Sequence, residues 1–251
     1  LEGELRGTPD FAGVCDFDKS ANGLVPVQAA IWENWVFVKL DDGGPSLEEF
    51  LGDELIDQVR PLGLVGLHWF ERRHYLFECN WKVFVDNYLD GGYHVPHLHK
   101  GLDSVLDFKN YRIENGPRHC LQSSPMMKGA IEQFAAVRGG ERALYYWVHP
   151  NFMINWYEGM MDTNLVLPLG VDRTEVIFDF WFADVSAAAA ERNRASIEVG
   201  QIIQDEDMAI CKSVQRGLNS RAYSTGRLSV RREAGEHLFH RLLHADLTAG
   251  I

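Results

Sequence analysis

The chain has 251 residues, 46% of them hydrophobic and 24% charged, with 36 acidic against 24 basic side chains and a formal net charge of −12. That charge disfavours a nucleic-acid partner and mildly favours cationic small molecules, although an acidic surface that simply maintains solubility explains it equally well. No apolar run approaches the ~20 residues needed to cross a bilayer, so no membrane association is expected. Cys15, Cys79, Cys120 and Cys211 are dispersed and form no C-x-x-C pair, which points to free thiols in a reducing, cytoplasmic compartment. The chain opens Leu1-Glu2-Gly3-Glu4 without Met or an apolar leader and reads as an N-terminally truncated piece.

Leu24–Trp32 and Trp35–Leu40 read as strands, followed by a turn at Asp41-Asp42-Gly43-Gly44-Pro45. Ser46 with Glu49 forms a capping box that starts a helix running to about Val59. Leu64–Phe77 has strand character. Trp81, Phe84, Val85, Tyr88 and Leu89 fall at helical spacing and predict an amphipathic helix that Gly91-Gly92 ends. Strands are expected at Ala143–Val148, Phe152–Tyr157, Thr163–Leu167 and Glu175–Phe182, the last with Val176, Phe178, Phe180 and Phe182 on one face. Ser186 is expected to cap a long helix to about Leu218, and a short helix covers Gly235–Leu247. The order of elements is that of an α+β fold, with helices packed on an antiparallel sheet.

Three histidines, His94, His97 and His99, follow the first amphipathic helix. Imidazole suits iron, zinc and copper, so the cluster is a candidate metal site. His94 and His97 would meet on a helix. His94 and His99 lie about 140° apart on one and converge only if the backbone departs from helix, which Pro96 favours at Val95. Both pairs remain open on spacing alone. On the long helix Val199, Ile203, Ile210, Val214 and Leu218 form the expected buried stripe, and Glu206 and Asp207 fall within its arc. A carboxylate there needs a partner, either an arginine such as Arg216 or a metal held by the histidines. Two histidines and one carboxylate make the facial triad of non-haem Fe(II) oxygenases.

Asn80-Trp81-Lys82, Asp86-Asn87 and Tyr93-His94-Val95-Pro96-His97-Leu98-His99 resemble the iron-binding segment of Rieske-type non-haem iron oxygenases, the ring-hydroxylating α subunits. Glu206-Asp207 and Val214-Gln215-Arg216-Gly217-Leu218 are similar to the segment that supplies that family's carboxylate ligand, and the phrasing is nearest the choline monooxygenase-like branch. The resemblance implies His94, His99 and Asp207 as ligands to mononuclear Fe(II), with His97 a neighbour. It implies a helix-grip (START/Bet v 1-like) catalytic domain over residues 26–251, preceded at 1–25 by the end of a Rieske domain. It also implies O2 activation and hydroxylation of a substrate held beside the iron, electrons from NAD(P)H through a reductase or ferredoxin, and a homotrimer. No cysteine has a histidine two or three positions beyond it. The [2Fe–2S] cluster that the family carries on C-x-H and C-x-x-H is therefore expected only in a missing N-terminal domain.

Where many relatives carry an acid three residues before the first ligand histidine, this chain has Gly91. Asp90 is adjacent, but helix geometry is expected to point it elsewhere. Asp90 and Asn87 are the remaining candidate catalytic residues, with Asn87 expected near the iron. Trp147, Trp156 and Tyr157, with Tyr145 and Phe152, are candidate substrate contacts that would form an aromatic cage for a quaternary amine such as choline. Core packing is the plainer explanation for each. An aromatic-ring-hydroxylating dioxygenase is the alternative activity. A non-enzymatic helix-grip carrier of hydrophobic ligands is the alternative of another class, and a zinc hydrolase lacks its H-E-x-x-H.

Overall fold

The structure is a computed structural model that describes residues 2–41, 43–127, 134 and 136–249; Asp42 of the predicted turn lies outside them. The chain divides into two compact units, Leu1–Phe50 and Leu51–Ile251.

In the first unit β1 (Gln28–Trp32) and β2 (Trp35–Lys39) form an antiparallel hairpin in which Trp32 faces Trp35. The first strand starts four residues later than expected, after Pro26, which has no N–H to give to a ladder. The capping box forms: the Ser46 N–H donates to Glu49 Oε2 at 2.7 Å and the Glu49 N–H to Ser46 Oγ at 3.2 Å. The predicted single helix is divided at Gly52, whose φ of +78° ends α1 (Leu47–Leu51) and starts α2 (Asp53–Val59).

The second unit is built on a seven-stranded antiparallel sheet. Its strands are β3 (His68–Phe77), β4 (Arg112–Asn115), β5 (His119–Pro125), β6 (Arg142–Val148), β7 (Phe152–Tyr157), β8 (Met160–Pro168) and β9 (Thr174–Phe182), in the spatial order β3-β9-β8-β7-β6-β5-β4. Strands β4 to β9 form a meander, and β3 returns to pair with β9 along its length. The start of the predicted strand at Leu64 is instead a 3-10 turn over Leu64–Gly66. Burial along β9 alternates as expected, with Val176, Phe178, Phe180 and Phe182 on the inner face. That face meets the helices and forms one wall of the core.

The helix that follows β3, α3 (Trp81–Leu89), starts at Asn80, whose side chain accepts from the Lys82 N–H, and buries Phe84, Val85 and Leu89. It ends at Gly91 and Gly92, both with positive φ (+68° and +67°). The left-handed turn leads into two short helices, α4 (Val95–Leu98) and α5 (Lys100–Asp103).

The long helix α6 (Ala190–Leu218) packs against α3 and β3. It is not capped by Ser186: that residue lies in a preceding turn, where its N–H donates to Asp184, and the helix starts at Ala190 without a side-chain cap. Its buried line also differs from the predicted one. Asn193, Ser196, Ile197, Val199, Gln204, Asp207, Cys211 and Gln215 face inward, whereas Val214 and Leu218 are exposed. The inward face is polar because it carries hydrogen-bonding work; Gln215 Oε1, for instance, accepts the Asn80 N–H at 2.7 Å. The last helix, α7 (Ala234–Thr248), buries Phe239 between the rings of Trp81 and Trp147. All four cysteines are free thiols, and among the described residues no helix is long and apolar enough to cross a membrane.

Gly91 shows how closely the turn is packed. An ideal Cβ there would lie 2.1 Å from the Arg232 carbonyl oxygen and 2.7 Å from Ile113 Cδ1. Gly159, with φ +79°, has nothing within 4 Å. Gly91→Ala is therefore expected to lower unfolding stability by ~2 kcal/mol or more, from backbone strain plus overlap, and Gly159→Ala by only ~1 kcal/mol. Urea denaturation of the two variants side by side checks the difference.

Candidate metal centre and its cavity

The turn after α3 brings two histidines to one point. His94 is helical (φ −78°, ψ −21°), and its carbonyl accepts from the Leu98 N–H at 2.8 Å. Pro96 sits in the first turn of α4, where a missing N–H costs nothing. Val95 stays helical, so the departure expected there occurs at His99 instead (φ −94°, ψ 70°). That change swings the His99 ring towards His94, with ring centroids 4.8 Å apart and nearly perpendicular. His97 stays exposed beside Tyr93. Of the two possible pairs, the structure brings together His94 and His99.

Asp207, on the buried face of α6, completes the group. Its Oδ1 lies 3.1 Å from His99 Nε2 and 3.9 Å from His94 Nε2, and candidate ligand atoms of all three residues lie within 4.8 Å of one another. Arg216 is exposed, and Asp207 pairs with the histidines rather than with it. Asn87 donates to Asp207 Oδ1 at 2.8 Å and fixes the carboxylate from the α3 side.

The outer nitrogens of both rings are held by carboxylates. Asp90 Oδ2 lies 2.6 Å from His94 Nδ1, and Glu206 Oε2 lies 2.6 Å from His99 Nδ1. Asp90 does not point away, as helix geometry suggested. It sits at the helix end with ψ 11°, where its carboxylate also accepts the N–H groups of Tyr93 and His94. Each carboxylate favours a proton on Nδ1 and leaves the Nε2 lone pair towards the cluster, the tautomer a metal ligand needs. Burial alone would lower the pKa of His99, but Asp207 and Glu206 on either side raise it above the ordinary imidazole value. Two imidazole nitrogens and a carboxylate, each oriented from behind, fit a divalent metal such as iron.

The cluster opens onto a cavity in the second unit, bounded by α3, α6 and the inner faces of β5 to β9. Tyr88, Tyr111, Tyr145, Tyr157, Phe178 and Phe180 supply its aromatic walls, and Gln122, Arg138, Asn155, Asp162, Asn164 and Gln204 its polar groups. Of the predicted substrate contacts, Tyr145 and Tyr157 line the cavity, their hydroxyls 2.8 Å apart. Trp147, Trp156 and Phe152 do not. Trp147 is fully buried against Phe239 and His149, and the period of two along β7 turns Trp156 away from the face that carries Asn155 and Tyr157.

Sequence reasoning missed Asp162 and Arg138. Asp162 is buried and accepts from Asn155 Nδ2 at 2.7 Å and Asn164 Nδ2 at 3.2 Å. Burial pushes its carboxyl above the ordinary range, against the pull of Arg138 and the two amides. An Asp-x-Asn alternation inside an apolar strand was the available signal for it. Arg138 left none.

A second group, Asp86, Glu236 and His240, lies between α3 and α7. It is already paired, with His240 Nε2 2.8 Å from Asp86 Oδ1.

The three candidate ligands lie between a long helix and an antiparallel sheet, and the family follows from comparison. The profile of the ring hydroxylating alpha subunit (catalytic domain) matches residues 65–249, and the chain belongs to that family. The chain is similar to the chloroplastic choline monooxygenase of Arabidopsis thaliana, 40% identical over 98% of this chain and 60% of the relative. It is 28% identical to the carnitine monooxygenase oxygenase subunit of Escherichia coli (strain K12), over 89% of this chain and 60% of that one. The chain thus spans about 60% of the length of these relatives. Among solved structures, a quaternary ammonium Rieske monooxygenase shares the fold with a TM-score of 0.83 at 22% identity, covering 97% of this chain and 68% of that one. Naphthalene 1,2-dioxygenase from Rhodococcus sp. does so with a TM-score of 0.75 at 18% identity, covering 99% and 73%.

Burial and the nearby carboxylates of Asp86 and Glu233 push Glu236 up to about 8 from its ordinary 4.5. Between those values the folded protein holds a proton that the unfolded chain has released, so this group's contribution to stability falls as pH rises through the interval. Glu236→Gln is expected to match the parent's melting temperature near the acid end of that interval and to exceed it near pH 8, as read by melting curves across pH.

Proposed function

We propose that this chain is the catalytic domain of a Rieske-type monooxygenase that holds mononuclear Fe(II) through His94, His99 and Asp207 and hydroxylates a quaternary amine such as choline. The observation that carries the reading is the convergence of these three residues, each oriented by a second polar side chain, at the mouth of an aromatic cavity that also contains a buried carboxylate. Similarity to choline and carnitine monooxygenases supports the substrate class. Bound iron supplies O2 activation, for which two histidines and one carboxylate leave coordination positions open.

The protein's own contribution is orientation and enclosure. Asp90 and Glu206 fix the two imidazoles, and Asn87 fixes the Asp207 carboxylate. The tyrosine faces suit a cation, and Asp162 provides a counter-charge next to them. A cationic substrate makes use of the buried Asp162 carboxylate beside the tyrosines, which an uncharged ring does not, and this favours the quaternary amine over a ring. A carrier of hydrophobic ligands has no use for three convergent metal donors.

The same reading makes residues 26–251 a helix-grip domain and residues 1–25 the end of a cluster-binding domain. Electrons would arrive from a [2Fe–2S] cluster outside this chain, ultimately from NAD(P)H through a ferredoxin or reductase, within a homotrimer. Gly91 has no room for an acid, and Asp90, already in contact with His94, serves as the acid beside the first histidine.

Metal analysis of protein purified without oxygen tests the core of this reading. About one iron per chain is expected, lost in His94→Ala and in Asp207→Ala; absence of iron from every preparation would overturn it. Glu206→Gln and Asp90→Asn are expected to keep the fold and weaken iron binding by about 10- to 100-fold, the usual effect of removing an orienting partner. Competition with a chelator measures this.

A further inference from the structure

The cavity holds a buried cation, Arg138, that no carboxylate among the described residues hydrogen-bonds. Arg138 is 5% exposed and lines the cavity together with Asp207, His94 and His99. Its Nη1 donates to Ser196 Oγ at 2.6 Å and approaches Met160 Sδ at 3.0 Å, and its guanidinium lies 4.9 Å from the centre of the Tyr157 ring. All three partners are uncharged. Asp162 feels the charge of Arg138 across the cavity but accepts from Asn155 and Asn164 instead. The Nε of Arg138 is buried without an acceptor, and Nη2 lies beside Gly200, 3.8 Å from where a Cβ at that position would stand. A buried guanidinium with unused donors is costly unless an anion completes it, and its planar fork matches a carboxylate.

The opposite charge is present but held apart. Asp162 lines the same cavity and is fastened to Asn155 and Asn164 rather than to Arg138. Two buried opposite charges in one cavity would ordinarily collapse into an ion pair. Here Asn155 and Asn164 restrain one, and Ser196 and Tyr157 restrain the other. A cavity with separated fixed charges complements a molecule whose own charges are separated.

We infer that the cavity is built for a zwitterion and that Arg138 determines specificity by binding an anionic group, most simply a carboxylate, on a substrate whose quaternary ammonium faces the tyrosines and Asp162. This rests on the quaternary-amine reading above and narrows it: choline, which has a hydroxyl in place of the carboxylate, becomes the poorer ligand. Arg138 touches no metal ligand in this scheme. It sets which quaternary amine is held.

Binding calorimetry on iron-loaded protein kept free of oxygen tests the inference with four probes: choline, L-carnitine, γ-butyrobetaine and indole. The two zwitterions are expected to bind the parent protein at least about tenfold more tightly than choline. Arg138→Gln is expected to weaken the zwitterions by about 10- to 100-fold, the worth of a charge-assisted pair of hydrogen bonds, and to leave choline within about twofold. Arg138→Lys, which keeps the charge and loses the fork, should fall between. Choline binding as tightly as the zwitterions, or equal weakening of all three quaternary amines in Arg138→Gln, overturns the assignment and leaves a quaternary-amine enzyme with a structural arginine. Indole binding with no quaternary amine bound overturns the substrate reading itself. If Arg138→Gln fails to fold, the ranking of the probes on the parent protein decides.

Discussion

A carboxylate buried on the inner face of a 29-residue helix is the constraint on which the rest of the site depends. Asp207 could not remain there uncompensated, because removing an ionised group from water costs far more than one packed helix face returns. The compensation comes from α3 and the turn behind it: the Asn87 amide and the Nε2 atoms of His99 and His94. Each histidine is in turn tied to a further carboxylate. The centre is therefore a layered arrangement of charges, imidazoles inside and Asp90 and Glu206 outside, which has to form as a unit.

The same physical problem is solved differently a few residues away in the cavity. Asp162 and Arg138 are both buried and of opposite charge, yet they are anchored separately by neutral partners. Where the His94–His99–Asp207 cluster brings its groups together, the cavity keeps its charged groups apart. The tyrosines join the two regions, presenting ring faces to the cavity and hydroxyls to one another or to the sheet, as when Tyr88 donates to Asn155. Burial raises the phenol pKa values of Tyr88, Tyr111, Tyr145 and Tyr157, so they remain neutral donors.

Much of the frame was legible because it follows local periodicity. The apolar stripe of α3, its Gly-Gly stop, the capping box at Ser46 and the alternation of β9 each rest on spacing that needs no distant partner. The long helix shows where that ends. Its aliphatic residues suggested a stripe through Val214 and Leu218, but the face that is buried runs through Gln204, Asp207, Cys211 and Gln215. Hydrophobic spacing indicates which face could be buried. The neighbours decide which face is, and here they need hydrogen bonds as well as apolar contact.

The sequence by itself supplied the residue types of the candidate metal group and, by resemblance, pointed to His94, His99 and Asp207, since these sit in short segments whose order carries the signal. Only the tertiary structure decided how they meet. The backbone leaves the helix at His99 rather than at Val95, Asp90 turns back onto His94, and Glu206 reaches the far side of His99, because each of these depends on packing between segments more than a hundred residues apart or on a turn that Arg232 closes from a distant loop. The cavity's charges were beyond sequence reasoning for the same reason. That Arg138 is buried among uncharged described partners is a property of its surroundings, which come from β7, β8 and α6.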